Sequence, residues 1–237
     1  ILRFALLILT FTSPALAGEI YRDAQRNFQF EIPDGWVALT SQELQGINDG
    51  AAAAAQGAQA PVSFAGFRVK DQILPRGLAF LLQESKLNTG GVSYEQLEDE
   101  LNSMVGKREL SENEKLPDEI RNLAVNQVSL DRNRNRFTLN SVIPDDEAGS
   151  VLALCTGHIG AQRVIRICSY IYEQDVGKHQ ASIQAANDSF RFDEGYQFQP
   201  APSRGASSAS PNEAFLSKHL VWLLVGTLLL IFFSVSY

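Results

Sequence analysis

The sequence predicts an α+β sandwich, and three observations carry that expectation. Short runs in which apolar and polar residues alternate are bounded by turn residues, four such runs follow one another between Val125 and Tyr172, and stretches with helical spacing stand on either side of the four. Four strands in succession, joined by short polar turns, form an antiparallel meander. Strands grouped in this way, with helices beside them, point to α+β rather than to a parallel β-α-β alternation.

The elements follow in order. The stretch NFQFEIPDGWVAL sends Phe28, Phe30 and Ile32 to one face, breaks at Pro33-Asp34-Gly35 and resumes with Trp36 and Val37, so it reads as two short strands around a turn. Ser41, followed by Glu43 and Leu44, marks a helix start; the Ala- and Gly-rich stretch after it, with an insertion from Ala51 to Ala60, is expected to loop out. Val62 to Val69 and Leu78 to Gln83 read as strands. Ser93 is a fitting N-cap for an amphipathic helix that gathers Tyr94, Leu97, Leu101 and Met104 or Val105 on one face. The meander strands are expected at Val125 to Leu130, Arg136 to Ile143, Ser150 to His158 and Arg163 to Tyr172. A last helix, Gly177 to Ser189, turns Ala181, Ile183 and Ala186 towards the sheet, and SFRFDEGY closes the domain.

The two ends place the chain. Arg3, the apolar run Phe4 to Phe11 and the small-x-small triplet Ala15-Leu16-Ala17 make residues 1–17 a secretory signal peptide. Residues 18–196 form the domain. Residues 197–213, rich in Pro, Ala, Ser and Gly, read as a flexible linker that would hold the domain on the order of 20 Å from its attachment. Residues 214–237 end in LVWLLVGTLLLIFFSVSY, an uncharged run of the length that a helix needs to cross a bilayer. The expected location is therefore outside the cytoplasm, anchored in the cytoplasmic membrane with the domain on the periplasmic or extracytoplasmic side. The alternative for the tail is a sorting signal cut off during maturation. A composition of 45% hydrophobic and 20% charged residues fits a folded domain, and a net charge of −7 without a basic block argues against a nucleic-acid partner.

Motifs for chemistry are sparse. A turn centred on Ala161 and Gln162 would set Cys155 opposite Cys168 and pair Leu152 and Leu154 with Ile171 and Ser169. In an oxidising compartment that pair is expected to form a cross-strand disulfide; two small buried thiols that never bond are the alternative. His158, His179 and His219 are scattered without metal-ligand spacing. DRNRNR, Asp131 to Arg136, opens like a calcium loop but lacks Gly at its sixth position, and reads as a charged hairpin turn. Three adjacent carboxylates in PDDEAGS, Asp145 to Glu147, read as solvated. No Gly-x-Ser-x-Gly elbow and no phosphate loop occurs. No catalytic residue, metal site or cofactor is therefore expected. The candidate partner surface is the set Val164, Arg166, Tyr170 and Tyr172 on the last meander strand, because Tyr and Arg are favoured at interfaces; cover by a helix of the same domain is the alternative. Trp36, after its turn, reads as a core anchor, and a ligand-stacking role that would add it to that list is the alternative.

YRDAQRNFQFEIPDGW near the expected mature start, an apolar strand running into Pro-x-Gly-Trp, and the Ser-Phe-x-Phe exit in NDSFRF resemble the PsbP-like superfamily, which includes bacterial DcrB-like envelope proteins. The resemblance spans nearly all of Gly18 to Phe192. It implies a central antiparallel sheet with helices on both faces, and binding or assembly rather than catalysis. The Ala-rich insertion and the C-terminal anchor depart from it. The expected function is a membrane-anchored accessory module of the envelope that contacts another envelope protein; an envelope hydrolase with an unrecognised site is the alternative.

Overall fold

The computed structural model describes residues 18–54, 62–72, 79–86, 89–103, 105, 127–143 and 150–202. Ten strands and three α-helices appear among them: β1 (Ile20–Asp23), β2 (Phe28–Glu31), β3 (Trp36–Ala38), α1 (Ser41–Ala54), β4 (Ser63–Val69), β5 (Ala79–Lys86), α2 (Tyr94–Asn102), β6 (Gln127–Asp131), β7 (Arg136–Ile143), β8 (Val151–Ile159), β9 (Arg163–Tyr172), α3 (Val176–Ser189) and β10 (Arg191–Phe192). A 3-10 turn at Glu173–Asp175 leads into α3. The expected signal peptide and apolar tail lie outside the described residues, and among the described residues no helix is long and apolar enough to cross a membrane.

All strand neighbours with a named register are antiparallel, but they fall into two sheets. Seven strands run in the order β3-β4-β5-β9-β8-β7-β6, and β1-β2-β10 form a second sheet of three. The meander β6 to β9 is as the sequence predicts. The stretch NFQFEIPDGWVAL forms two short strands around a turn, as expected, but the two do not pair: β2 and β3 belong to different sheets. The turn between them explains the divergence. Trp36 N–H bonds to the Pro33 carbonyl at 3.1 Å, and Gly35 takes φ of +79°, a value that favours glycine. The chain then pairs outward, with Trp36 beside Val69.

Each face of the large sheet has its own core. On one, Leu97 and Leu101 of α2 pack with Phe137, Leu139, Cys155, Ile159, Val164, Cys168 and the later Phe198. On the other, Phe28 and Phe30 of the small sheet and Ile183 and Ala186 of α3 meet Trp36, Phe67, Phe80, Leu82, Ile165 and Ile167. Aromatic rings dominate this second core: Phe67 and Phe80 stack at 5.0 Å and Trp36 tilts onto Phe80 at 4.8 Å. Burying rings of this size, each removing on the order of 200 Å² from water, is the main force joining the two sheets.

Three expectations need correction. The Ala run does not all loop out, because α1 continues through Ala54 with Ala51 buried; Ala is the best helix former, and its small side chain lets α1 sit close to β4. Helix α1 does begin at Ser41, and Thr40 before it is the cap: Glu43 N–H donates to Thr40 Oγ1, and Thr40 N–H donates to the Glu43 carboxylate. On α3, Ala181 faces solvent, and the inward face is Ile183, Ala186 and Asn187. Packing also continues past Tyr196, the expected domain end. Gln197 bridges to Gly160, Phe198 is buried, and Ala201 N–H reaches the Val92 carbonyl at 3.0 Å.

Candidate functional site

The sequence-predicted residues converge on β9, the central strand of the large sheet. Antiparallel register sets Cys155 against Cys168, Leu152 against Ile171 and Leu154 against Ser169. The two sulfurs are bonded to each other. Alternation along β9 then places Val164, Arg166, Cys168, Tyr170 and Tyr172 on one face, the face that α2 covers.

That placement changes what the candidate surface offers. Arg166 is 2% exposed and Val164 is buried completely. Tyr170 and Tyr172 are half-buried. Trp36 lies on the opposite face of the sheet, 7% exposed, between Phe80 and the edge of His179. The structure therefore brings Arg166 and Tyr170 together beside the disulfide, and keeps Trp36 apart as a core anchor. A strand at the centre of a sheet covered on both faces has no outward side, so the Arg166 side chain is interior; Trp36, on the edge strand β3, is interior because the aromatic core packs over it.

Sequence reading missed what surrounds Arg166. Gln83 on β5 and Gly157 on β8 are its cross-strand neighbours. Gly157 is glycine because a Cβ there would fall 2.2 Å from Cζ at the outer end of the Phe137 ring. Gln83 Nε2 donates to Ser63 Oγ at 3.3 Å. Burial pushes the Arg166 pKa down to about 9, with the Tyr170 hydroxyl acting in the opposite direction, so the guanidinium is still charged at neutral pH.

The histidines separate. His158 is on the other face from Arg166, buried, stacked on Phe190 at 3.9 Å. Asn187 gives its Nδ2–H to the Ile183 carbonyl, which leaves its Oδ1 to accept from His158 Nε2–H at 3.1 Å. Burial is the largest influence on this imidazole and holds its pKa down to about 3; the Asn187 bond and Asp188 raise it and Arg136 lowers it further. His158 is neutral and structural. His179 sits at the edge of Trp36, and His219 lies outside the described residues.

DRNRNR is a hairpin turn between β6 and β7. Asp131 accepts from the Asn133 backbone at 3.1 Å, and Asn135 takes φ of +50°. Arg132 reaches Glu95 and Glu98 on α2, while Arg134 and Arg136 both reach Asp188 on α3. These arginines tie the turn to both helices. Asp145 to Glu147 lie outside the described residues. Among the described residues, no group of three or more His, Cys, Asp or Glu side chains is placed to hold a metal ion.

No protein-family model matches the chain, and no curated protein matches it. Among solved structures, the chain is similar to the cyanobacterial PsbP (CyanoP) of Synechocystis, at 12% identity and a TM-score of 0.46, over 76% of this chain and 95% of that one. It is also similar to LpqN, described as involved in cell envelope biogenesis of Mycobacterium tuberculosis, at 12% identity and a TM-score of 0.39, over 76% of this chain and 86% of that one. At these scores the likeness carries no argument about activity or partners.

Proposed function

We propose that the chain is an exported accessory module of the cell envelope, held at the membrane by its C-terminal apolar segment and acting by binding rather than by catalysis. The observation that carries this reading is the Cys155–Cys168 bond in the middle of the large sheet. Disulfides persist in oxidising compartments and are rare where thiols are kept reduced. The signal-like residues 1–17 and the uncharged run from Leu220 to Tyr237 support the same location independently. The PsbP-like reading rests on the Pro-x-Gly-Trp and Ser-Phe-x-Phe motifs, together with a sheet covered on both faces.

The test is fractionation followed by mass spectrometry without reductant. The expected result is a membrane-bound chain with its N-terminus at Gly18, lacking two hydrogens relative to the dithiol and still carrying residues 214–237. A soluble chain that retains residues 1–17 and free thiols overturns export. A chain that begins at Gly18 but ends before Leu220 keeps export and overturns anchoring, because the tail is then a processing signal.

A further inference from the structure

Among the described residues, Arg166 is the buried arginine, and it differs from the charge-paired arginines nearer the surface. Arg22, Arg26, Arg68, Arg132, Arg136 and Arg163 each reach a carboxylate. Arg166 joins none of the ion pairs formed among the described residues, although it is the most deeply placed of them, and its Nε and Nη2 have no hydrogen-bond partner. A buried guanidinium without a counter-charge is strongly unfavourable, and an apolar side chain of similar bulk would fill the same volume without that penalty.

The identity of the two unpartnered nitrogens is informative. In a guanidinium the Nε–H and Nη2–H bonds point the same way, along the edge that holds both oxygens of a planar oxyanion side-on. Among the described residues, the neighbours of Arg166 add polarity without negative charge. Cross-strand neighbours are Gly157 and Gln83, and Ser85, on the same face of β5 and diagonal to Arg166, has a buried Oγ that also lacks a partner. One fixed positive charge with a planar fork suits a monovalent carboxylate better than a phosphate dianion, which generally recruits a second cation.

We propose that Arg166 anchors a small organic acid, gripping its carboxylate through Nε and Nη2 beside the Ser85 hydroxyl, on the α2-covered face of the large sheet. This site stands apart from export and anchoring, so either reading can fail without the other.

The test uses the full chain in detergent, titrated with acetate, inorganic phosphate or chloride at matched ionic strength, and follows both the melting temperature and the Arg166 Nε–H NMR resonance. Acetate is expected to raise the melting temperature saturably and to shift that resonance, whereas chloride does neither. Arg166→Met should abolish the response. Arg166→Lys keeps the charge, loses the fork and should weaken apparent affinity at least tenfold; it serves as the variant if the Met protein does not fold. Wild-type chain indifferent to acetate means that the fork is filled from within the chain or carried bare, and overturns the proposal. An unchanged acetate response in Arg166→Lys also overturns it, and a phosphate response equal to that of acetate overturns the carboxylate assignment.

Discussion

His158 shows how a single buried residue sets a pH limit. Its folded pKa of about 3 lies below the ordinary histidine value, so between these two values the unfolded chain binds the extra proton and the folded chain does not. Stability from this residue is therefore complete above about pH 6.5 and is lost as pH falls towards 3. At pH 4 the loss attributable to His158 should be about 3 kcal/mol, from 1.4 kcal/mol per pH unit. Urea unfolding of wild type and His158→Gln at pH 7 and pH 4 measures it, because carboxylates common to both proteins cancel; an equal acid loss in the two would show that the ring is not responsible. A second residue-scale prediction concerns Gly157. Gly157→Ala drives a methyl group into the outer end of the Phe137 ring and should cost about 2–3 kcal/mol by overpacking, read from the shift in urea midpoint. Neither role was legible from sequence. His158 reads as one polar residue on an apolar strand, and only the third dimension supplies Asn187 and Phe190. Arg166 stood between two readings for a related reason: alternation put it on the face of Cys168, but only the folded chain shows that α2 and Phe198 lie over that face, which was the alternative reading.

Elements were more legible where local chemistry and tertiary packing agree. Helix α2 starts where the sequence says, because Ser93 and Gln96 form a reciprocal capping box, with Ser93 N–H to Gln96 Oε1 at 2.9 Å, and because Leu97 and Leu101 share a buried face. Ser93→Ala should lower stability by about 1 kcal/mol, visible as a lower thermal midpoint. The β8–β9 register was legible for the same reason, since only one pairing keeps the apolar sets together. Its disulfide closes a loop with a sequence separation of 13. Replacing both cysteines by alanine should cost about 3 kcal/mol, and adding reductant to wild type should reproduce most of that loss; a double variant as stable as wild type would contradict the role. Where local and global preferences conflict, reading failed. The Ala run has high helix propensity but also glycines and no amphipathic pattern, so its role in α1 depends on β4 being there to receive Ala51. The second sheet was invisible because β1, β2 and β10 have only 4, 4 and 2 residues, and β10 joins β2 from the far end of the domain.

At the scale of the molecule, the large sheet is a partition between two cores of different character, one rich in aromatic rings and one holding the disulfide, the buried arginine and α2. The chain after Tyr196 belongs to the second core. Phe198→Ala in the full chain should therefore destabilise it by about 3 kcal/mol, the cost of emptying a buried phenylalanine site, measured by chemical unfolding; a loss below about 0.5 kcal/mol, typical of exposed positions, would return these residues to the linker. This boundary was not legible because Gln197 to Ala201 are dominated by Gln, Pro and Ala, and one Phe carries the packing. The same short segment also decides how the domain bears load. Tension entering at residue 202 meets the Ala201–Val92 bond, the seated Phe198 ring and the Gln197–Gly160 bridge before it can reach the ladder of β8 and β9. Drag applied from that side therefore loads these three contacts before it loads the sheet behind them.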